Sequence, residues 1–97
     1  MNVGVCTIQL RMPENGSLKD KRQIVRSVTD RVRGRFNVAI AEVADNDVWG
    51  LATLGIACVS NDPRHADEVL AKVVDYIHDL RLDAEIVDCQ TEVITGV

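Results

Sequence analysis

Residues 36–60, FNVAIAEVADNDVWGLATLGIACVS, carry two strand signals with a turn between them. Phe36–Ala44 reads as one strand and Leu51–Ser60 as the next, with Leu54, Ile56 and Cys58 sharing a face at the two-residue strand period. Asp45-Asn46-Asp47 between them is turn chemistry, because short Asx side chains bond their own backbone. The two strands are therefore close enough in sequence to form a hairpin. Residues 2–12 also alternate, with Cys6, Ile8, Leu10 and Met12 on one side and Val3, Val5, Thr7, Gln9 and Arg11 on the other. Pro13-Glu14-Asn15-Gly16 breaks that strand. Ser17 is placed to cap a helix, with Asp20 as the acid of a capping-box-like start. Leu18, Ile24, Val25, Val28 and Val32 follow at helical spacing, and Gly34 is expected at the helix C′ position.

Beyond the hairpin, Asp62 caps a second helix and Pro63 takes its first position. Ala66, Val69, Leu70, Val73, Ile77 and Leu80 form its apolar stripe. Residues 84–94 read as a last strand. The order strand, helix, strand, strand, helix, strand is the ferredoxin-like βαββαβ plan of the α+β class. It implies a four-stranded antiparallel sheet with both helices on one face. At 97 residues the chain fits a single domain, residues 1–97.

A hydrophobic fraction of 46% beside 27% charged residues excludes a disordered chain, and no apolar run approaches the roughly 18 residues a spanning helix needs. Met1-Asn2-Val3-Gly4-Val5 has no basic n-region, so no signal peptide is expected. Cys6, Cys58 and Cys89 are odd in number and widely spaced, which fits a reducing cytoplasm better than a disulfide framework. They are expected as small core residues. His65 and His78 do not share a helical turn, and no metal site or cofactor is expected.

Several stretches together resemble one family: Ser17-Leu18-Lys19-Asp20-Lys21-Arg22, Arg35-Phe36-Asn37-Val38 through Ala41-Glu42-Val43, Asp47-Val48-Trp49, and Ala52-Thr53-Leu54-Gly55-Ile56 through Ser60-Asn61-Asp62. Over nearly its whole length the chain is similar to the YlxP-like proteins, a bacterial family of unknown function. The resemblance implies a ferredoxin-like fold and a cytoplasmic bacterial protein. Genes of that family often neighbour those of a translation initiation factor and ribosome-binding factor A, which implies work near the ribosome or RNA. It assigns no reaction and no catalytic residue.

Charge is unevenly placed. Between Lys19 and Arg35 seven basic residues face two acids, a local net of +5, while the rest of the chain carries −9 and the whole −4. At about 100° per residue, Lys19, Arg22, Arg26 and Arg33 fall within roughly 60° of one another, opposite the apolar stripe. Such a row can track phosphates, and Arg adds forked donors suited to their oxygens. Lys21 falls inside the apolar stripe; its stem is expected along the core edge, with its amine reaching out beside the Pro13–Gly16 loop. Lys21 and Arg35 are secondary phosphate contacts. The competing reading is solvated charge, partly neutralised by Asp67, Glu68, Asp75 and Asp79 on the second helix.

The sheet face away from the helices should carry Val3, Val5, Thr7, Gln9 and Arg11, then Thr53, Gly55, Ala57 and Val59, then Ala39, Ala41 and Val43. It lacks the aromatics with which RNA-recognition sheets stack bases. Its Val/Ala/Gly content suggests a homodimer through sheet faces or edges, with Val3, Val5, Trp49, Ala57 and Val59 as interface candidates. Trp49 reads first as an anchor of its own loop, with an exposed contact as the alternative. Acylphosphatases share this size and strand order, but need a phosphate-cradling loop after the first strand. Here Arg11–Ser17 holds an acid and a proline and no glycine-rich cradle. Glu42 reads as a lone carboxylate rather than a tuned pair. No catalytic residue is expected. The expectation is a cytoplasmic, non-enzymatic protein that meets ribosomal RNA or a ribosome-assembly protein through its first helix, without membrane contact. The alternative is a homodimeric protein-interaction or ligand-sensing module with no nucleic-acid contact.

Overall fold

The computed structural model describes residues 1–12, 16–80 and 84–97. The expected turn at Pro13–Asn15 lies outside the described residues. The elements run β1 (Asn2–Arg11), α1 (Leu18–Arg35), β2 (Ala39–Ala44), β3 (Leu51–Ser60), α2 (Pro63–Asp79) and β4 (Glu85–Ile94). They form one four-stranded sheet in the order β2-β3-β1-β4, with β1 antiparallel to both β3 and β4 and β2 antiparallel to β3. This is the expected ferredoxin-like α+β arrangement. Its register shifts at two places: Val43 is the extra residue between Glu42 and Ala44 of β2, and Val87 is the extra residue opposite Gln9 and Leu10. Each is a bulge on an edge strand, where such irregularities concentrate.

The core lies between sheet and helices. Cys6, Ile8 and Leu10 from β1, with Met12 just beyond it, meet Ala52, Leu54, Ile56 and Cys58 from β3, and both rows are buried. Val25, Val28 and Val32 of α1 and Ala66, Leu70, Val73 and Ile77 of α2 close over them. Each large aliphatic side chain sealed this way contributes about 1.5–3 kcal/mol. Gly4 is needed for close approach: a Cβ there would lie 2.9 Å from Leu70 Cδ1 and 3.3 Å from Ala66 Cβ. Both N-cap side chains accept as expected. Ser17 Oγ accepts from the Asp20 N–H at 3.2 Å, and the Asp62 carboxylate from the Arg64 N–H at 2.9 Å.

Three expectations need correction. First, Gly34 is inside α1, not beyond its end, and Phe36 is the C-cap, its N–H donating to Val32 O at 2.9 Å. The Phe36 ring meets Tyr76 of α2 edge-on at 5.5 Å, and the Arg35 guanidinium lies 4.9 Å from the same ring's centroid. Docking on α2 therefore sets the stop, and glycine's conformational freedom is not used. Second, β2 begins at Ala39 rather than Phe36, for the same reason. Third, Cys89 is exposed rather than in the core. It stands on edge strand β4, where only Ile86 and Val93 are partly buried against the core.

Candidate nucleic-acid interface and the open sheet face

Lys19, Arg22 and Arg26 are exposed on α1. Among the described residues none of the three has a carboxylate within ion-pair distance, and no ion pair joins α1 to α2. The acids of α2 therefore do not pair directly with this row. Its placement differs from expectation. Lys21, Val25, Val28, Thr29 and Val32 are the buried positions of α1, so the row lies roughly a third of a turn from the buried stripe and not opposite it. Arg33 shows which flank this is, since its Nη2 donates to the Ile40 carbonyl of β2 at 2.7 Å. The basic row runs along the side of α1 that overlooks the β2 edge.

The six expected phosphate contacts divide by partner. Arg33 is engaged with Ile40 and lies 3.7 Å from Asp30, and Arg35 rests on Tyr76. Both also sit in the last turn, where positive charge offsets the helix dipole. Lys21 is a different case. Its side chain is 1% exposed, and its amine does not reach out beside the Pro13–Gly16 segment. Instead Nζ donates to the carbonyls of Asp45 at 2.5 Å and Val48 at 2.7 Å, and lies 2.9 Å from Glu42 Oε2. A buried amine with three partners is withdrawn from any phosphate.

Glu42 is correspondingly not a lone carboxylate. It faces the helices from β2 with its side chain 15% exposed. Oε2 is buried and held by the Lys21 charge without a well-directed hydrogen bond. The node extends to Asp45, which has a φ of 64°, the left-handed region that Asp tolerates better than most residues. Its carboxylate accepts from the Thr53 hydroxyl at 2.6 Å. One lysine thus fixes the 45–50 turn from beneath, and Met12 N–H adds a bond to Gly50 O at 2.9 Å. Above this node Val48 is 46% and Trp49 52% exposed.

The open sheet face is as expected in composition and concave in form. Register sets Val5 beside Ala57 and Thr7 beside Gly55, with Ala39 and Ala41 on the far side of β3. These small residues form a trough of about 560 Å³ between Val43 of β2 and Gln90 and Glu92 of β4. Of the interface candidates, Val3, Val5 and Ala57 are half-buried, and Val59 is 67% exposed beyond the trough. Trp49 belongs to the 45–50 turn and does not line the trough. Among the described residues no three metal-ligating side chains converge, and no helix is long and apolar enough to cross a membrane.

The family model described as "Protein of unknown function (DUF503)" matches residues 3–91. The chain belongs to the DUF503 family. It is also 32% identical over 75 residues to the uncharacterized protein YlxP of Bacillus subtilis (strain 168), an alignment covering 77% of this chain and 82% of that protein. The DUF503 match spans all six elements, ending within β4. That family description assigns no activity.

Proposed function

We propose that this chain is a cytoplasmic, non-enzymatic accessory protein that binds RNA or the ribosome in translation or ribosome maturation. The contact is the α1 flank bearing Lys19, Arg22 and Arg26. The observation that carries the reading is that these three cations are exposed and without a carboxylate partner among the described residues, on a chain whose remainder is acidic. The genetic neighbourhood implied by the YlxP-like resemblance supports the same partner class. Acidic surface elsewhere confines phosphate contact to this flank and disfavours indiscriminate coating.

The test is co-sedimentation with separated ribosomal subunits at low and at physiological salt. Three phosphate contacts give a slope of about −2 to −3 in log K against log salt concentration. Binding to one subunit should persist at physiological salt and be lost in Arg22→Glu/Arg26→Glu, whose side chains are outside the core. Unchanged association in that double variant defeats the reading. So does binding seen only at low salt.

The trough favours a second reading, a homodimeric interaction or ligand-sensing module using the open sheet face. Two concave faces meeting directly would enclose empty space, which close-packed interfaces avoid. A dimer through this face must therefore seat a convex element or a ligand. A monomeric mass by light scattering at high micromolar concentration removes the dimer.

A further inference from the structure

The register of β1 and β4 sets Cys6 opposite Thr91 and Ile8 opposite Cys89, so the two cysteines are diagonal neighbours on the helix side of the sheet. Their sulfurs are 3.9 Å apart. Cys6 is buried and Cys89 exposed. The Thr91 hydroxyl donates to Cys6 Sγ at 3.5 Å. Cys58 stands apart on β3, its thiol directed to the Ala66 carbonyl at 3.7 Å. Sulfurs in contact must still close to about 2.05 Å to bond, and the strands have to yield for this. β4 is suited to do so: it is an edge strand, and the Val87 bulge lies two residues from Cys89.

We propose that Cys89 and Cys6 form a peroxide-oxidisable dithiol, with exposed Cys89 as the attacked residue and buried Cys6 as the resolving one. In the first step the Cys89 thiolate takes an oxygen from a hydroperoxide. An S–O bond forms, the O–O bond breaks, and hydroxide leaves to collect the proton the thiol had lost. The sulfur is oxidised by two electrons to a sulfenic acid and the peroxide is reduced. In the second step the Cys6 sulfur attacks Cys89 Sγ. The S–S bond forms, the S–O bond breaks, and the departing oxygen leaves as water with the Cys6 proton. Two thiols and one hydrogen peroxide yield a disulfide and two waters.

The surroundings order these steps. Burial, with a smaller contribution from the neighbouring Cys89, pushes the Cys6 thiol up to about 11, so it stays protonated at neutral pH. Oxidation by peroxide also needs access, and exposed Cys89 is the one of the pair that peroxide can reach. In the second step Cys6 must give up its proton to the departing oxygen, and the hydrogen bond that the Thr91 hydroxyl donates to its sulfur favours the thiolate that attacks. A bond that draws two strands together is strained, and strained disulfides are the easily reduced ones. The geometry describes a reversible switch on the β1–β4 seam.

The experiment is hydrogen peroxide treatment of the intact chain, followed by alkylation under denaturing conditions and peptide mapping. The expected product is an intramolecular Cys6–Cys89 disulfide, with Cys58 still a thiol and full reversal by reduced glutathione. In Cys6→Ser, Cys89 should stop at the sulfenic acid and label with dimedone several-fold more than in the wild type. Cys58→Ser should leave the disulfide intact. Sulfinic or sulfonic Cys89 beside a free Cys6 thiol overturns the proposal, as does equal dimedone labelling of wild type and Cys6→Ser. A dominant disulfide through Cys58 or between chains also overturns it.

Discussion

Replacing Lys21 by Met keeps the length and apolar stem of the side chain and removes its charge and its three donors. The structure fixes what is then stranded. The Glu42 carboxylate, 15% exposed, loses its counter-charge, and the carbonyls of Asp45 and Val48 lose their donor. Removing one partner of a buried pair costs about 3–5 kcal/mol, and each unsatisfied buried polar group about 1–3 kcal/mol. The Glu42 side chain and the 45–50 turn retain some access to water, so the low end applies. We expect Lys21→Met to lose about 3 kcal/mol, a large part of the roughly 5–15 kcal/mol available to a domain of this size. That corresponds to a fall in Tm of about 12–24 °C. Adding Glu42→Gln to Lys21→Met removes the stranded charge and should recover at least about 1 kcal/mol, a coupling that only contacting residues show. Urea unfolding followed by circular dichroism measures all four corners of the cycle. The chain's one tryptophan, Trp49, reports separately on the turn that the lysine holds. A loss below about 1 kcal/mol in Lys21→Met, or no recovery in the double variant, would refute the argument that this pair is a buried structural node.

Other substitutions probe the packing and the pH response. Gly4→Ala places a Cβ 2.9 Å from Leu70 Cδ1 and 3.3 Å from Ala66 Cβ, and should cost about 1–3 kcal/mol by urea unfolding. Gly55→Ala meets Val43 at 2.8 Å, but Val43 is 56% exposed and can rotate aside, so its effect should stay within about 0.5 kcal/mol. Asp62→Ala removes the acceptor for the Arg64 N–H and should cost about 1 kcal/mol, measured in the same way. Cys6 holds its proton more tightly folded than unfolded, with its value raised from 9.0 to about 11 mainly by burial. Its contribution is complete below pH 9 and is lost as pH rises through 11. Urea midpoints taken across that range should therefore fall more steeply in the wild type than in Cys6→Ala.

Elements whose signals are local were legible in the sequence. The alternation of residues 51–60 and the Asp62-Pro63 cap each carry their own physics, and β3 and α2 begin where these place them. Gly34 misled because a favourable C′ residue competes with tertiary contact, and Phe36 on Tyr76 settled the stop two residues later. Half of the Lys21–Glu42 node was visible too. Lys21 falls within the apolar stripe of its helix, and the same alternation that sends Ala39, Ala41 and Val43 to the open face sends Glu42 inward with Ile40. Taking the two facts together pairs opposite charges; taken singly, each looks like an outlier. The meeting of Cys6 with Cys89 was not legible. It depends on the β1–β4 register, separated by most of the chain, and on which edge of the sheet the helices leave uncovered.

The two edges of the sheet differ in how they refuse a further strand. β2 is short, carries the Val43 bulge, and has its Ile40 carbonyl already occupied by Arg33. β4 is ten residues long and otherwise a ready template, yet it carries Asp88 and Glu92 on the open face. Two copies joining along β4 would bring acid against acid, and the Val87 bulge spoils the ladder near its start. The domain is thereby guarded against strand-by-strand growth into fibrils at both ends of its sheet. Neutralising Asp88 and Glu92 would weaken that guard at β4 without touching the core.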